Sequence, residues 1–507
     1  MNSKFYVTTP IYYVNDKPHI GHLYTTTMAD ILARYHRLFK EDVFFLTGTD
    51  EHAAKVVEAA KERGLTPLQW ADQNAAAFAE TFQKFFITNN DFVRTTQERH
   101  QKKVQDYVAK LMQTGDVFSG EYEGWYDAGQ EEYVTDNKAK DYDYKSPING
   151  KPLLRKKERN YFFRLSKYAP KLLELLEKRN EFDVQPEARR NETINRIKEG
   201  LNDVPISRSG TGGWGIPIPG DPDQNVYVWI DALFNYLSIV DTPQRRHYWP
   251  ADVHLIAKDI LWFHAVIWPA MLLALEEPLP RVVYSHSFWT SEGQKMSKSL
   301  GNFIDLDKIE DYAWRFGVDA LRWFLATNGP FETMDSDFSE NKFIGVYNSD
   351  LANDYGNLLN RISGLIGKYF NGEVPEYDTA SPFGQVIKET ISEMVERIPK
   401  KINNLELQEA LVEMMRKVGL LNSQLEFQAP WQQMKQDPKL AATTLYVVAE
   451  GLRLCTVLLQ PVMPEKTKIV LEVLGAAGTG TKWGELKSGT KLKTHGPLFP
   501  RFEMEKQ

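Results

Sequence analysis

The segment Pro-His-Ile-Gly-His at residues 18–22 stands where a predicted strand turns into a predicted helix. The apolar run 5–9 predicts a buried strand, and apolar residues at helical spacing across 23–40 predict the helix. Such a turn offers unpaired backbone N–H groups and the positive end of a helix dipole to an anion. A glycine there lets a ligand lie against the backbone. His19 and His22 therefore predict a polyphosphate site, although a motif this short also occurs by chance in ordinary loops.

A second segment, Lys-Met-Ser-Lys-Ser-Leu-Gly-Asn at residues 295–302, places two lysines on a loop that contains serine and glycine. Lysine is a point charge on a flexible stem, so Lys295 and Lys298 could follow a departing phosphate group. Two lysines at this spacing are by themselves more typical of a solvated loop. The chance interpretation becomes weak because both segments occur in one chain.

Together the two segments resemble the HIGH and KMSKS signatures of class I aminoacyl-tRNA synthetases. The intervening residues are similar to the methionyl branch of that family, over essentially all 507 residues. The resemblance implies ATP-dependent joining of L-methionine to tRNA through a methionyl-adenylate, with Mg²⁺ on the β- and γ-phosphates of ATP. It implies an ATP site formed by His19, Gly21, His22, Lys295, Ser297 and Lys298, with His19, His22, Lys295 and Lys298 as the catalytic residues.

The resemblance also implies a methionine pocket, whose members are Ile11, Tyr13, Asp50, Trp229, Ala232, Tyr236, Ile260 and His264. Asp50 follows a predicted strand and is expected to hold the α-ammonium group, although Thr49 or Asp50 can instead cap the helix predicted at 53–63. His264 is the one polar member of the side-chain wall. The alternative to a role in the pocket is that His264 is a core histidine with satisfied hydrogen bonds. Without the resemblance, most of this set is predicted to be core.

A chain of 507 residues is too long for a single hydrophobic core and predicts three or four domains. Its 42% hydrophobic and 25% charged residues are typical of a soluble globular protein. A net charge of −7 argues mildly against a nonspecific nucleic-acid coat, but not against a specific RNA partner. The single cysteine excludes disulfides within the chain. No long uninterrupted apolar span and no leader are recognised, so a cytoplasmic protein without a membrane segment is expected, or one from which a leader has already been removed.

Alternating strand and helix patterns predict an α/β chain with a Rossmann-type, doubly wound parallel sheet. A connective insertion is predicted to split this sheet, and an α-helical bundle to follow it. Strands are predicted at 5–9, 42–47, 226–230, 253–257 and 281–285, and 64–114 is predicted to be helical with Phe78, Phe82, Phe85 and Phe86 in the core. The predicted domains are 1–114 and 226–289 for the two catalytic halves, 115–225 for the insertion, 290–345 for the KMSKS loop and stem-contact region, and 346–507 for the helical anticodon-binding domain with its tail.

The insertion of this family often carries zinc knuckles with paired cysteines. Here the matching positions are Asp127, Gln130, Ser146 and Asn149. Such side chains make a poor tetrahedral zinc site, so no structural zinc is expected. The aromatic residues expected to hold the insertion instead are Trp125, Tyr126, Tyr133 and Tyr161. The charged run 155–159 is more typical of a solvated loop than of a contact with the tRNA acceptor end.

Asn357 and Arg361 lie four residues apart on one predicted helix face, and Trp431 follows an Ala-Pro pair. These positions match the anticodon-binding residues of the family. An aromatic ring for stacking, with an amide and a guanidinium for base edges, is how single-stranded RNA loops are read. The alternative is a capped helix end with the tryptophan buried. The resemblance implies tRNA(Met), initiator and elongator, as the partner. The chain stops before a dimerising domain, so a monomer is expected.

Two other functions remain open from the sequence. A related adenylyl transferase would form an adenylate without passing it to tRNA, and the helical domain argues against that alternative. A catalytically silent paralogue would bind tRNA or an amino acid as a regulator. Such a paralogue is expected to have lost at least one of the reactive side chains, whereas this chain keeps His19, His22, Asp50, Lys295 and Lys298.

Overall fold

The computed structural model describes residues 3–127, 132–134, 136–147, 149–209, 213–296 and 301–503. Its centre is a six-stranded parallel sheet, and hydrophobic cores lie on both faces. Along the strand at 42–50, Val43 and Phe45 point into one core and Phe44 and Leu46 into the other, as the alternation of a strand requires. The strands, from edge to edge, are Asp91–Arg94, Asp42–Asp50, Lys4–Tyr13, Val253–Ala257, Val282–His286 and Asp183–Gln185. The predicted α/β class and doubly wound parallel sheet are confirmed.

The strand order reverses in the middle of this sheet. Lys4–Tyr13 has the next strand of the chain, Asp42–Asp50, on one side and the much later Val253–Ala257 on the other. In open parallel sheets a crevice forms beyond the carboxyl ends of the strands at such a reversal. The register sets Tyr13 opposite Asp50 at this end. Two predicted binding residues therefore meet at the crevice.

The other elements either cover the sheet or form separate small sheets. Helices around the sheet and in the insertion span Ile20–Leu38, Ala54–Glu62, Pro67–Lys84, Glu98–Gln113, Asp136–Asp141, Ala169–Lys178, Glu187–Lys198, Val228–Ser238 and Trp268–Ala274, with a π-helical turn at Phe263–Ile267. A four-stranded sheet joins Glu132–Val134, Val117–Asp127, Leu154–Phe163 and Val204–Pro205. Two three-stranded sheets join Pro217–Ile218, Asp221–Val226 and Ser207–Ser209, and Gln294–Lys295, Trp289–Ser291 and Ser336–Phe338.

The prediction of a strand at 226–230 is wrong. The structure has a strand at Asp221–Val226, in one of the small sheets, and the helix Val228–Ser238 begins two residues later. This helix is buried on nearly all sides. A short run of apolar residues without alternation fits a buried helix as well as a buried strand.

The wholly helical prediction for 64–114 is also wrong, because Asp91–Arg94 is the edge strand of the central sheet. Four residues carry too little periodicity to reveal a strand. The strand approaches its neighbour so closely that a Cβ on Gly48 would lie 1.9 Å from the carbonyl oxygen of Val93. The phenylalanine stripe is core as predicted, since Phe78, Phe82 and Phe85 are buried and Phe86 is half-buried.

The region predicted as the insertion contributes to the central sheet, where Asp183–Gln185 pairs in parallel with Val282–Tyr284. The charged run at 155–159 belongs to the strand Leu154–Phe163, so the loop interpretation is wrong. Trp125 packs against a small cluster formed by Val134, Ala139 and Leu153. The side chain of Tyr133 and residue Gln130 lie outside the described part of the chain.

The predicted helical bundle is confirmed. Its helices, with those that lead into it, span Leu306–Phe316, Val318–Asn328, Glu340–Val346, Asn357–Tyr369, Pro382–Asn403, Leu407–Gln428, Pro430–Gln436, Pro438–Leu459 and Pro464–Val473, with a π-helical segment at Tyr347–Gly356. Within the described residues, one helix, Pro438–Leu459, is long and apolar enough to cross a membrane, but its apolar stretch is fully buried in the fold. It also carries the buried ion pair Glu450–Arg453, which fits the central helix of a bundle.

Candidate active site

The two histidines of residues 18–22 cap the helix Ile20–Leu38. The N–H of Gly21 donates to His19 Nδ1 at 3.1 Å, and the N–H of His19 donates to His22 Nδ1 at 3.3 Å. Because both Nδ1 atoms accept, the ring proton of each imidazole lies on Nε2. The rings stack with centroids 3.7 Å apart. The cap therefore presents two Nε2–H donors from one rigid pair.

Gly21 and His22 are both adapted to this arrangement. A Cβ on Gly21 would lie 3.0 Å from His19 Cε1, so any larger residue would push against the ring. Burial, and to a lesser extent the neighbouring His19, hold the pKa of His22 well below its usual range. His22 is therefore neutral at physiological pH. It offers a directed N–H group to the cleft, without a full positive charge.

The chain that follows the lysine-containing loop is fixed against this cap. The N–H of Ile20 donates to the carbonyl oxygen of Ile304 at 3.2 Å, and His19 forms an isolated backbone bridge with Asp305. At the other end of the loop Lys295 is exposed, and its carbonyl oxygen accepts from Asn302 Nδ2 at 3.2 Å. Ser297 and Lys298 lie outside the described residues. The two ends of the loop are thus joined to each other through Asn302, and the chain that follows the loop is joined to the cap.

A cleft of about 570 Å³ opens at the carboxyl ends of the central strands. Its lining unites eight of the predicted residues: Ile11, Tyr13, His19, Gly21, His22, Asp50, Trp229 and Ile260. Ala232, Tyr236 and His264 are buried and do not line it, and Lys295 does not reach it. The cleft is large enough to hold a small-molecule ligand.

Behind the cleft, Tyr236 and His264 form a hydrogen-bonded pair. His264 Nδ1–H donates to the carbonyl oxygen of Ile260 at 2.9 Å, so Nε2 accepts from the Tyr236 hydroxyl at 2.8 Å. Burial lowers the pKa of His264 to about 4, which keeps the ring neutral. In this conformation His264 matches the alternative of a satisfied core histidine. Trp229 stacks on Phe263 at 4.2 Å, forming an aromatic wall in front of the pair.

Asp50 is 2% exposed at the end of its strand and lines the cleft. The helix that follows, Ala54–Glu62, has Ala53 at its N-cap and no side-chain cap. The alternative that Thr49 or Asp50 caps this helix is therefore wrong. Thr49 donates instead to the carboxylate of Glu51 at 2.8 Å. Asp50 is thus one of the carboxylates that line the cleft, together with the ring of Trp229.

The cleft also has lining residues that the sequence analysis missed: Asn15, Lys17, Asp259, His286, Ser287 and Trp289. His286 ends a central strand, and that position could have identified it. Its Nδ1–H donates to the carbonyl oxygen of Ser287 at 2.7 Å, and Nε2 lies 2.8 Å from Thr25 Oγ1. Burial lowers the pKa of His286 to about 4.

Buried neutral histidines give an expected pH dependence of stability. The pKa values lowered chiefly by burial are those of His22, His36, His254, His264 and His286. Unfolding returns the pKa of each histidine to about 6.5, so below pH 6.5 the unfolded chain binds more protons than the folded chain. The free energy of unfolding therefore falls toward pH 4, by at most about 1.4 kcal/mol per pH unit for each histidine. Asp319 has the opposite effect. Burial raises the pKa of Asp319 to about 6, so this carboxyl group takes up one proton in the folded chain before it does so in the unfolded chain.

Melting temperatures at pH 7.5, 6.0 and 5.0 measure this effect. We expect a progressive fall, and a smaller one in the variant His36→Phe, since His36 stacks on Phe5 and phenylalanine does not titrate. A melting temperature that is constant from pH 7.5 to 5.0 would contradict the prediction.

The predicted anticodon residues lie on two helices of the bundle, Asn357–Tyr369 and Pro430–Gln436. Asn357 is exposed at the start of its helix, and Arg361 is one turn later. Arg361 Nη2 pairs with Glu426 Oε2 at 2.6 Å, and Trp431 is half-buried on the short helix Pro430–Gln436. These positions fit an RNA-binding surface, and the assignment stays a prediction.

The absence of structural zinc stays a prediction as well. Of the four positions matched to zinc ligands, Asp127 and Ser146 are buried and Asn149 is exposed, whereas Gln130 is not described. Among the described residues, no group of three or more His, Cys, Asp or Glu side chains could hold a metal ion.

Comparison with known proteins agrees with this geometry. Residues 5–142 and 140–363 match the family described as tRNA synthetases class I (M). Residues 374–501 match the anticodon binding domain of methionyl tRNA ligase. The fold and the cleft are thus those of a class I aminoacyl-tRNA synthetase.

Relatives that match the whole of this chain indicate which member of the class it resembles. The methionine–tRNA ligase of Caldanaerobacter subterraneus is 42% identical, over 100% of this chain and 80% of that protein. That of Bacillus subtilis is 40% identical, over 100% and 79%. The Mycobacterium tuberculosis methionyl-tRNA synthetase, solved in complex with methionyl-adenylate, is 35% identical with a TM-score of 0.90, covering 98% of this chain and 100% of that one. The chain belongs to the methionyl-tRNA synthetase family.

Proposed function

We propose that this protein joins L-methionine to its tRNA in two steps, using ATP and releasing AMP and pyrophosphate. One observation carries the proposal. A single cleft unites the histidine cap, Asp50 and an aromatic wall, in a chain 35% identical to an enzyme solved with methionyl-adenylate. That ligand contains both the amino acid and the nucleotide that such a cleft must hold.

The first step needs no general base, because the carboxylate of methionine is already ionised at neutral pH. It attacks the α-phosphorus of ATP, and methionyl-adenylate and pyrophosphate form. The Nε2–H groups of His19 and His22 donate to phosphate oxygens as charge develops on them. Lys295 and Lys298 follow the departing pyrophosphate. Mg²⁺, if it enters with ATP, would supply positive charge against the phosphates, and the residues named here would not need to hold it in a site of their own.

The amino acid is held at its α-ammonium group and selected by its side chain. Asp50 binds the α-ammonium group at the rim of the aromatic wall. The thioether packs against Tyr13 and Trp229, with the buried Tyr236–His264 pair behind this wall, since sulfur makes favourable contacts with aromatic edges. Shape and length then discriminate, at about 1–3 kcal/mol for each methylene.

The second step transfers the methionyl group to a terminal ribose hydroxyl of tRNA. Asn357, Arg361 and Trp431 read the anticodon, and Arg361 exchanges its contact with Glu426 for a base edge. Both initiator and elongator tRNA(Met) are substrates. The protein acts as a monomer in the cytoplasm.

Amino-acid-dependent ATP–pyrophosphate exchange across the twenty amino acids tests this function. We expect exchange with methionine alone, and a reduction of about 10²-fold or more in the variant Lys298→Ala, because the lysine stabilises charge that develops only in the transition state. Lys342→Ala, an exposed lysine on the helix Glu340–Val346 that does not line the cleft, is the control and should change little.

Three other results would reject parts of the proposal. Exchange with a different amino acid would overturn the pocket but keep the class. Exchange with methionine and no methionylation of a tRNA(Met) transcript would favour an adenylyl transferase. Folded protein without any exchange would favour a silent paralogue.

A further inference from the structure

Beneath the cleft lies a buried carboxylate held by two histidines. His52 Nδ1 lies 2.6 Å from Asp231 Oδ2, and His100 Nε2 lies 2.7 Å from Asp231 Oδ1. All three side chains are buried, and Asp231 is 1% exposed. None of them lines the cleft. The cluster is therefore a structural element under the site and does not touch a ligand in it.

Both carboxylate oxygens of Asp231 accept hydrogen bonds from ring N–H groups. Burial alone raises the pKa of Asp231, but the charge and hydrogen bonds of His52 and His100 outweigh it, so the net pKa is lowered. The carboxylate is ionised and hence a strong acceptor. His52 directs its Nδ1–H and His100 its Nε2–H at the carboxylate, and the other nitrogen of His100 lies 2.8 Å from Ser238 Oγ. The orientation of each ring is thus fixed by the same carboxylate.

The cluster joins three elements that build the cleft. His52 is two residues beyond Asp50, where the strand ends. Asp231 lies on the helix Val228–Ser238, between Trp229 and Ala232 of the predicted side-chain wall. His100 lies on the helix Glu98–Gln113, which packs against that helix. Since the separations along the chain are 179 and 131 residues, no local constraint could hold these parts in register.

The neighbouring residue Glu51 is tied down as firmly. Its carboxylate pairs with Arg94 at 2.7 Å and accepts from Thr96, and its carbonyl oxygen accepts from Trp214 Nε1 at 2.7 Å. The Trp214 ring lies edge-on to His52, with centroids 5.5 Å apart. The strand end is therefore anchored on one flank by Glu51, and on the flank toward the pocket helix by His52.

We propose that the His52–Asp231–His100 cluster is a positioning device, which holds Asp50 at a fixed distance from the helix that walls the methionine side chain. The inference rests on the proposed function, because Asp50 and this helix are taken to grip the two ends of one substrate. A bound amino acid spans both, so a shift of the strand end against the helix weakens binding of methionine. The histidine cap, on another element, keeps its hold on ATP.

Steady-state ATP–pyrophosphate exchange of folded variants tests the proposal. Asp231→Asn keeps the shape but turns an amide N–H₂ group toward one imidazole N–H. We expect the KM for methionine to rise about tenfold, as the loss of a hydrogen bond to a buried charge predicts. The KM for ATP and kcat should change by less than about twofold, since uniform substrate binding is what is lost.

The His52 variants separate hydrogen bonding from packing. In His52→Asn the Nδ2–H₂ group can replace the Nδ1–H donor, so the KM for methionine should stay within about threefold of the parent. His52→Leu has no donor and should match Asp231→Asn. His36→Asn is the matched control, because His36 is another buried imidazole that does not line the cleft. His36→Asn should lower the melting temperature without raising the KM for methionine relative to the KM for ATP.

Three results would overturn the proposal: an unchanged KM for methionine in folded Asp231→Asn, a parallel rise of both KM values, or equal impairment of His52→Asn and His52→Leu. If Asp231→Asn does not fold, the His52 pair decides. Failure of the proposed function would instead show in the parent protein, as an absence of exchange with methionine.

Discussion

Replacement of His22 by alanine should lower the rate of methionyl-adenylate formation about 10²–10³-fold, the usual effect of removing one preorganised donor to developing charge. His22 presents Nε2–H to the cleft because its Nδ1 accepts the N–H of His19. The ring is neutral, so its contribution is directional and depends on geometry. The KM for methionine should change little, because the donor acts on phosphate. Single-turnover measurement of adenylate formation separates this step from product release.

Glutamine variants provide the control. In His19→Gln and His22→Gln the amide can place an N–H₂ group near the former Nε2, and a substantial part of the rate should return. The double variant His19→Ala/His22→Ala should be less impaired than the product of the single effects, since the stacked rings act as a unit. If His22→Ala raised only the KM for methionine, the assignment of the cap to phosphate would be wrong.

The fold was predictable where local patterns are long or chemically distinctive. The strand-to-helix turn at 18–22 and the bundle helices followed from periodicity and from the position of glycine and histidine. The helix Val228–Ser238 was not, because a chain segment buried on all sides lacks the polar face that separates a helix from a strand. The edge strand Asp91–Arg94 was too short to show any period.

The site was predictable for residues next to a motif or a strand end, as with His19, His22 and Asp50. The role of the two histidines as a helix cap was not, since a pattern of residue types does not show which ring nitrogen accepts. The cluster around Asp231 was also missed. Its partners, His52 and His100, come together only in the folded chain, and single histidines on apolar faces carry no signal by themselves.

Arg322 links the catalytic part to the helical bundle. It is fully buried, and its guanidinium donates to Asp30 Oδ2 at 2.7 Å. It also donates to three carbonyl oxygens, those of Phe85, Pro461 and Val462, at 2.9–3.0 Å. Asp30 lies on the helix that His19 caps. One side chain thus joins the sheet-covering helix and the end of the central bundle helix.

Replacing Arg322 with leucine should therefore lower the free energy of unfolding by about 3–5 kcal/mol, because it leaves a buried carboxylate and three carbonyl groups without this donor. Asp30 keeps Arg34, at 2.8 Å, and Thr88 as partners. Asp30→Asn should for the same reason cost less than Arg322→Leu. Arg322→Lys keeps the charge but not the planar fork, and its free energy of unfolding should lie between those of the parent and Arg322→Leu.

Urea unfolding followed separately by tryptophan fluorescence and by exchange activity measures the order of the three variants. Equal loss in Arg322→Lys and Arg322→Leu would show that the forked geometry, and not the charge, holds the two parts together. A midpoint for Arg322→Leu equal to that of the parent would contradict the linking role altogether.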